Sequence, residues 1–347
     1  MKKALSLALF FSGAIALILI LFSFFPKYQG VLIFLFVFLL GDLVLWVLVR
    51  KRILCLKPLT RILLTLLYWL PAASLAALVL FGFFRPFILW NVTVKAILLS
   101  LLMMTIVAKM IPLLISLLSR LIGLLSYLLF NARAAWLRWI ELGAWITGGL
   151  FWLTLGLGMI TWVYDFKVTT VDFPSARVPA SFNNFRIVQF SDVHLGNWTC
   201  REKLKEAVAR INELKPDLIV FTGDMFTFST AEGKGFSQYL KQLHARYGIV
   251  AIMGNHDYGD YVRWENPLAK NMNLEDLHRF YKDLGWNLLL NRSLSIKSGP
   301  DSINIIGVQN WGATKRFQRY GDIIKAEHGI NRSCFCLLLS HLSLIHI

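Results

Sequence analysis

Cysteine, charge and repeated sequence are all scarce in this chain, and each scarcity excludes a class of protein. Only four cysteines occur among 347 residues. Cys334 and Cys336 alternate along one strand-like run and cannot pair with each other, so the sequence indicates neither a disulfide framework nor a cysteine-type zinc site. Only 16% of the residues are charged. No stretch interleaves basic and aromatic residues like a nucleic-acid platform, and no inverted repeat indicates a transporter.

Hydrophobic sequence is what the chain has in excess. Hydrophobic residues make up 56% of it, and a mean hydropathy of +0.59 is too high for an ordinary soluble domain. Apolar residues are concentrated in the N-terminal half, in segments that are each long enough to cross about 30 Å of hydrocarbon. We predict five membrane-spanning helices, near Ala4–Phe24, Val31–Val49, Ile62–Phe84, Ala96–Leu118 and Leu142–Tyr164. The first segment resembles a signal peptide, but its long core and the lack of a cleavage site favour a retained helix.

Basic residues at the membrane edges predict both an orientation and a partner. They are concentrated at the N-terminus and in the second and fourth loops. Because Lys and Arg favour the cytoplasmic side, five spans place the C-terminal domain on the outer or periplasmic face of a bacterial inner or plasma membrane. The expected partner is the lipid bilayer, including its anionic lipids, rather than nucleic acid. If the apolar run Leu121–Phe130 also spans, the domain faces the cytoplasm instead.

Two further features of the membrane part carry predictions. The fourth loop, Ser119–Glu141, combines arginines with Trp136 and Trp139, which is typical of an interfacial amphipathic helix or of a helix end with anchoring aromatics. Asp42 lies inside the second predicted span. We interpret it as a lone carboxylate hydrogen-bonded to a neighbouring helix, with a functional intramembrane carboxylate as the alternative.

In the C-terminal half, three short polar motifs each follow an apolar run that is typical of a buried strand. The runs are Phe185–Phe190, Asp217–Phe221 and Gly248–Met253. The motifs that follow them are Ser191–His194, Thr222–Asp224 and Gly254–Asp257. Because the carboxyl ends of such strands form the ligand-binding edge of an open α/β sheet, we expect the three motifs to lie close together.

The side chains in these motifs indicate a metal site. Asp, Asn and His supply oxygen and imidazole ligands without any thiolate, which suits two divalent ions of Mn, Fe or Zn. Asp224, after the middle strand, is placed to bridge two ions about 3.5–4 Å apart, an arrangement that binds a phosphoryl group.

In this order and at this spacing, the three motifs resemble the calcineurin-like metallophosphoesterase family, in its membrane-anchored bacterial type. The family pattern is Asp-x-His, Gly-Asp, Gly-Asn-His-Asp or -Glu, a lone His, and Gly-His-x-His. The metal ligands that the resemblance implies are Asp192, His194, the bridging Asp224, Asn255 and His341. His256 would lie outside the metal shell, where it stabilises the transition state or protonates the leaving oxygen. Asp257 would orient His256.

The sequence departs from the family pattern at its end, because the final Gly-His-x-His is absent. We interpret the chain as truncated, with residues 342–347 as an artefactual tail and His346 as an accidental residue. We therefore expect the 347-residue chain to be weakly active or inactive.

The predicted organisation follows from these observations. A transmembrane domain at 1–165 and a connector at 166–183 precede a truncated metallophosphoesterase domain at 184–341. The alternation of strands and helices is typical of an α/β fold, and the resemblance implies a four-layer α/β/β/α sandwich. Helices are expected near Thr199–Leu214 with Thr199 as its N-cap, near Phe236–Arg246, and near Leu274–Leu284 behind Asn273.

Residues that follow the third motif are candidates for substrate contacts. Tyr258, with Tyr261 and Trp264, is interpreted as an aromatic wall, and Arg263 as a phosphate contact. A packed loop and a solvated arginine are the alternatives.

We expect a membrane-anchored, metal-dependent hydrolase of phosphodiester, pyrophosphate or phosphomonoester bonds, with a lipid-linked molecule as one candidate substrate. The alternative is a non-catalytic membrane regulatory or binding module with an incomplete metal site.

Overall fold

The computed structural model describes residues 29–84, 90, 92–131, 136–262, 264–312 and 319–342. The predicted span Ala4–Phe24, Arg263 and His346 lie outside this part of the chain. Contacts between Cα atoms divide the chain into two compact units, one of Met1–Arg85 with Ile97–Asp165 and one of Pro86–Ala96 with Phe166–Ile347.

The first unit is helical. Its helices are α1 (Gln29–Leu54), α2 (Pro58–Phe84), α3 (Val92–Phe130) and α4 (Leu137–Thr161). Within the described residues, three stretches are long and apolar enough to cross a membrane: Pro58–Gly82, Ala96–Phe130 and Leu137–Thr161. The predicted span Val31–Val49 falls inside α1, which is not among these three.

For the fourth loop, the structure agrees with the alternative of helix ends. Residues Ser119–Phe130 continue α3 without a break, and residues Leu137–Glu141 form the N-terminal end of α4. The described part of this segment is therefore the ends of two long helices, not a separate interfacial helix. The reason is local: no proline follows Pro112 within α3, and leucine, a good helix former, makes up half of Leu121–Phe130.

Asp42 is hydrogen-bonded to a neighbouring helix, as predicted, but it is not a lone charge. Asp42 is 1% exposed, and its two carboxylate oxygens accept hydrogen bonds of 3.1 and 3.0 Å from Nζ of Lys109 on α3. The same Nζ lies 4.3 Å from the ring centroid of Tyr68, whose hydroxyl donates to the carbonyl of Asp42 over 2.6 Å. This cluster joins α1, α2 and α3, and it satisfies a charge that would be costly to bury alone.

The second unit contains two sheets. The first has β1 (Ile187–Phe190), β2 (Leu218–Phe221), β3 (Ile249–Ala251) and β4 (Asn287–Leu288), parallel and in that order. The second has β5 (Arg292–Ser298), β6 (Asp301–Gly307) and β7 (Phe335–Leu339), in which β5 and β6 are antiparallel and β6 and β7 parallel. All four residues of β2 are buried, as expected for a parallel strand covered on both faces.

Two apolar clusters show how the layers pack. On one face of the first sheet, Ile219 and Phe221 of β2 meet the helices α5 (Arg201–Glu213) and α7 (Pro267–Leu284). On the other face, Leu218 and Val220 meet residues of the second sheet. The layers are thus helix, parallel sheet and mixed sheet. The four-layer sandwich stays a prediction, although Ala326 of the short helix α8 (Ile323–Ala326) packs against the far side of β6.

The bounds of three helices differ from the predicted ones. Helix α7 begins seven residues earlier than expected (274 − 267 = 7), because the side chain of Asn266 caps it and Pro267 fits its first turn. Asn273 instead accepts hydrogen bonds from Thr230. Helix α5 has Cys200 rather than Thr199 at its N-cap, and α6 (Ser237–Leu240) is far shorter than the predicted Phe236–Arg246.

Candidate metal centre

The first motif forms a tight turn after β1. Asp192 and His194 both have left-handed backbones, with φ of 55° and 45°, a conformation that costs non-glycine residues about 1 kcal/mol or more. Hydrogen bonds from the second motif maintain the turn: Asp192 N donates to Gly223 O over 2.9 Å, and His194 N donates to Asp224 O over 3.0 Å. Strained backbone of this kind clusters at functional sites.

The second and third motifs approach each other so closely that only glycine fits. A Cβ atom on Gly223 would lie 2.3 Å from the nitrogen of Gly254, and one on Gly254 would lie 2.1 Å from Oδ1 of Asp224. Gly223 also has a φ of 102°, which favours glycine. The two glycines therefore place Asp224 directly beside the residues that follow β3.

Asp224 is the centre of the site, and we call its side chain the shared carboxylate. It belongs to two groups whose candidate ligand atoms lie within 4.8 Å of one another: one with His194 and His256, and one with Asp192 and His341. Its Oδ2 atom lies 3.5 Å from Nε2 of His194 and 3.3 Å from Nε2 of His341. The shared carboxylate is 2% exposed.

His341 approaches the shared carboxylate from the turn after β7. Its Nδ1 lies 2.8 Å from the carbonyl oxygen of Thr222, and because that oxygen can only accept, Nδ1 is the donor. Its Nε2 lies 3.0 Å from Oδ1 of Asn255. In the neutral ring, the Nε2 lone pair, the Asn255 oxygen and the shared carboxylate all converge as acceptors. Either a proton or a cation has to lie between them.

His256 is oriented by backbone rather than by a carboxylate. Its Nδ1 donates to the carbonyl of Thr227 over 2.9 Å, which leaves Nε2 for the site. The loop that carries this carbonyl is held by Glu232, a 4% exposed residue that accepts hydrogen bonds from the backbone nitrogens of Thr227 (2.7 Å) and Phe228 (3.1 Å). The resemblance implies that His256 lies outside the metal shell, but here it shares a candidate ligand group with His194 and Asp224.

Asp257 has a different neighbourhood from the one predicted. It is 2% exposed, and its hydrogen bonds go to backbone, not to the His256 ring. Oδ2 accepts from the nitrogens of Asp224 and Gly254, both over 2.9 Å, and Oδ1 accepts from Met225 (2.9 Å) and Phe226 (3.3 Å). The carboxylate therefore cradles the loop of the shared carboxylate, and the orientation of His256 by Asp257 stays a prediction.

Burial and charge shift the titrations of the centre. Burial lowers the pKa of His194, although the shared carboxylate opposes this, so the imidazole is held neutral and suited to ligation. Burial alone would lower the pKa of His341, but its hydrogen bond and charge interaction with Asp224 raise it above the usual value. Burial would raise the pKa of Asp224, and His341 and the His256 backbone N–H bring it below the usual value. Burial and the nearby charge of Asp224 raise the pKa of Asp257 to about 7, against the lowering effect of the backbone N–H donors of Gly254, Phe226 and Asp224.

The donor set fits divalent cations. Carboxylate oxygens, an amide oxygen and imidazole nitrogens converge at one edge of the sheet, and backbone carbonyls fix the tautomer of His341 and His256 in the manner of metal-ligating histidines. The described residues thus bring the other four predicted ligands to the carboxylate of Asp224: Asp192, His194, Asn255 and His341.

The position of Tyr258 does not agree with its predicted role as a substrate contact. Tyr258 is only 4% exposed, its ring stacks on Tyr320 with centroids 3.9 Å apart, and its hydroxyl donates to Gln309 over 3.1 Å. The packed-loop alternative therefore describes Tyr258, and the predicted substrate contact is wrong, because the turn of the chain after the third motif directs this ring into the core.

Tyr261, predicted only as part of an aromatic wall, contacts one predicted ligand and the predicted catalytic histidine. Its ring lies 4.3 Å from that of His256, and its hydroxyl accepts a hydrogen bond of 2.8 Å from Nδ2 of Asn255. That bond fixes the amide so that its oxygen faces His341 and the shared carboxylate. The signal in the sequence was the aromatic series after the third motif, but spacing in a loop does not reveal which ring faces the site.

Comparisons with known proteins agree with this geometry. Residues 185–343 match the family model described as calcineurin-like phosphoesterase. A zebrafish (Danio rerio) protein named "Transmembrane protein with metallophosphoesterase domain" is 30% identical over 188 residues, 53% of this chain and 41% of that protein.

Two bacterial proteins are also similar to part of this chain. The uncharacterized metallophosphoesterase YkuE of Bacillus subtilis is 37% identical over 137 residues, 38% of this chain and 43% of that protein. The UDP-2,3-diacylglucosamine pyrophosphatase LpxG of Chlamydia trachomatis is 35% identical over 116 residues, 31% of this chain and 35% of that protein. The chain therefore matches less than half the length of each of these relatives.

Proposed function

We propose that this chain is a membrane-anchored, metal-dependent hydrolase of phosphoric ester bonds, because residues 185–343 match the calcineurin-like phosphoesterase model and apolar helices long enough to cross a membrane precede them in sequence. One observation carries the proposal: two groups of candidate ligands share the carboxylate of Asp224. A carboxylate that is common to two groups is what a pair of bridged divalent ions requires.

The chain's own residues have distinct parts in this proposal. Asp192, His194, Asn255 and His341 would hold the two ions. The shared carboxylate, which belongs both to the group of His194 and to the group of Asp192 and His341, would contact both ions. When bound, such ions neutralise charge on a phosphoryl group and lower the pKa of a coordinated water. His256, held through Nδ1 by the Thr227 carbonyl, presents Nε2 to the site.

We assign proton transfer in this reaction to His256. A ring whose Nδ1–H is fixed on a carbonyl can carry a second proton on Nε2 and deliver it to a leaving oxygen within hydrogen-bonding distance. Asp257 contributes indirectly, by fixing the loop of the shared carboxylate through four backbone hydrogen bonds.

We propose a phosphodiester, pyrophosphate or phosphomonoester that is linked to a lipid as the substrate class. Support comes from the apolar helices and from the similarity to a relative named as a pyrophosphatase of UDP-2,3-diacylglucosamine, a lipid-bearing nucleotide. Mn, Fe or Zn are the proposed ions. We also keep as proposals the outer or periplasmic location of the catalytic domain in a bacterial membrane and the domain limits 1–165, 166–183, 184–341 and 342–347.

The experiment measures metal binding and hydrolysis by the full chain in detergent micelles. Mn²⁺ binding is followed by calorimetry, and hydrolysis is assayed with a chromogenic phosphodiester and a lipid-linked pyrophosphate, in each case against the chelated protein. We expect Mn²⁺ binding and a Mn²⁺-dependent rate, even if slow, and both are lost in Asp224→Asn.

Asp217→Asn is the matched control, because Asp217 lies at the opposite end of β2 and accepts a hydrogen bond from the backbone of Arg186. It should bind Mn²⁺ like the wild type. Binding without any hydrolysis of either substrate would favour the regulatory or binding module instead. A chain that binds no Mn²⁺, or a rate that Asp224→Asn leaves unchanged, would refute the proposal.

A further inference from the structure

We propose that Trp198 positions the turn that carries Asp192 and His194, and that Phe166 couples the connector to this turn. The connector is the segment 166–183 that follows the first unit in sequence. The inference rests on the proposed metal site for its functional meaning, but its central measurement is made without metal.

One backbone carbonyl of this turn needs a hydrogen-bond donor from outside the three motifs. Its amide side is satisfied, because the nitrogens of Asp192 and His194 donate to the second motif. Its outward carbonyl belongs to Val193, the residue between these two ligands, and it accepts a hydrogen bond of 2.6 Å from Nε1 of Trp198. Because both ligands have left-handed backbones, the peptide between them can relax toward ordinary φ and ψ values unless both sides are held.

The connector contacts a face of the same indole, whereas the bond to Val193 leaves from the indole's edge. The ring of Phe166 stacks on Trp198, with centroids 5.9 Å apart and an angle of 20° between the planes. The carbonyl of Phe166 accepts a hydrogen bond of 2.6 Å from Nη1 of Arg210 on helix α5. Phe166 is therefore held at both its side chain and its backbone.

A continuous path of contacts results, from Phe166 through the Trp198 indole to the Val193 carbonyl and the two flanking ligands. Coupling along such a path is reciprocal: if docking of Phe166 stabilises the ligand turn, then metal bound to the turn stabilises docking of Phe166 by the same factor. A purely structural stack would stabilise the fold without this selective effect on the turn and the connector.

The first experiment isolates the hydrogen bond to Val193. Trp198→Phe retains an aromatic ring for Phe166 but removes the indole N–H. Hydrogen exchange of the metal-free full chain in micelles is measured by mass spectrometry on peptides that cover residues 190–197. One neutral hydrogen bond corresponds to about a three- to tenfold change in local opening, so we expect exchange of this turn to be faster by about that factor.

The control is Trp264→Phe, which removes the same N–H group from a different loop, where it donates to Gly259 over 2.8 Å. It should leave exchange at residues 190–197 unchanged. Equal exchange of the turn in wild type and Trp198→Phe would overturn the positioning role. So would an equal acceleration in the Trp264→Phe control, because the effect would then be a general loss of stability.

The second experiment tests the coupling to the connector. Phe166→Ala removes the stack, and Phe173→Ala removes another exposed connector aromatic, one that contacts Phe335 instead. We expect Phe166→Ala, but not Phe173→Ala, to accelerate exchange at residues 190–197. We also expect Mn²⁺ to slow tryptic cleavage after the exposed Lys167 in wild type but not in Phe166→Ala.

The outcomes separate this inference from the proposed function. A wild-type chain that binds no Mn²⁺ refutes the metal site, while the metal-free exchange results still decide the role of Trp198 and Phe166. If wild type binds Mn²⁺ but Phe166→Ala changes neither exchange of the turn nor protection of Lys167, the coupling is refuted and the metal site stands.

Discussion

Replacing Asp257 by asparagine should destabilise the catalytic unit, and the size of the effect follows from its four backbone donors. Each carboxylate oxygen accepts two N–H groups: those of Asp224 and Gly254 on one side, and those of Met225 and Phe226 on the other. Whichever way the amide of Asp257→Asn is turned, its NH₂ group faces two of these donors.

Each buried donor left without an acceptor costs about 1–3 kcal/mol, so Asp257→Asn should cost roughly 2–6 kcal/mol. That is a large share of the stability of an ordinary domain, about 5–15 kcal/mol. Native-state hydrogen exchange of strand β2 in the full chain measures this free energy. The control Asp260→Asn alters a carboxylate that pairs with Lys270 near the surface, and it should cost no more than about 1 kcal/mol.

The same variant separates two roles for Asp257. If Asp257 orients His256, as the sequence prediction had it, Asp257→Asn changes the pH profile of hydrolysis and leaves stability nearly intact. If it cradles the loop of the shared carboxylate, stability and Mn²⁺ affinity fall together. An Asp257→Asn protein with wild-type stability and wild-type Mn²⁺ affinity would refute the cradle.

Three further predictions follow. The metal-free His341 has a raised pKa and must lose its proton to bind an ion. Mn²⁺ affinity should therefore fall as the pH drops through a value above 6.5, the usual pKa of histidine. Calorimetry from pH 8.5 to 6 checks this, and an affinity that does not change with pH would contradict it. Tyr261→Phe should weaken Mn²⁺ binding about three- to tenfold by freeing the amide of Asn255, whereas unchanged affinity would show that the amide needs no such support. Asp42→Asn should destabilise the helical unit by about 3–5 kcal/mol, because Lys109 is left buried without its partner. The thermal stability of that unit should recover in the Asp42→Asn, Lys109→Met double variant. An Asp42→Asn variant as stable as wild type would contradict the account.

The meeting of the three motifs at the candidate metal centre was the most predictable feature of the fold, for a physical reason. Parallel strands end at a common edge, so motifs that directly follow β1, β2 and β3 have to meet there, whatever the loops do. The position of Asp224 after the middle strand was enough to predict a carboxylate with ligands on both sides.

Contacts made by loops were not predictable in the same way. The sequence places Tyr258 and Tyr261 three residues apart, but only the path of the backbone decides that the first enters the core and the second faces Asn255. Asp257 was assigned to His256 by proximity in sequence, whereas its acceptor oxygens serve backbone nitrogens of a loop that precedes it by more than thirty residues.

Helix positions were limited by competing local signals. Asn273 and Asn266 are both plausible caps, and the proline that follows Asn266 decides in its favour. The partner of Asp42 was missed for a different reason: Lys109 lies within a predicted apolar span, 67 residues away, and only helix packing brings the two together.

Electron paramagnetic resonance of the Mn²⁺-loaded chain tests the central claim most directly. Two ions bridged by the shared carboxylate, about 3.5–4 Å apart, should give the broad, exchange-coupled spectrum of a Mn²⁺ pair, and Asp224→Asn should abolish that coupling. A spectrum that contains only the six-line signal of isolated Mn²⁺ at every loading would contradict a bridged pair at this site.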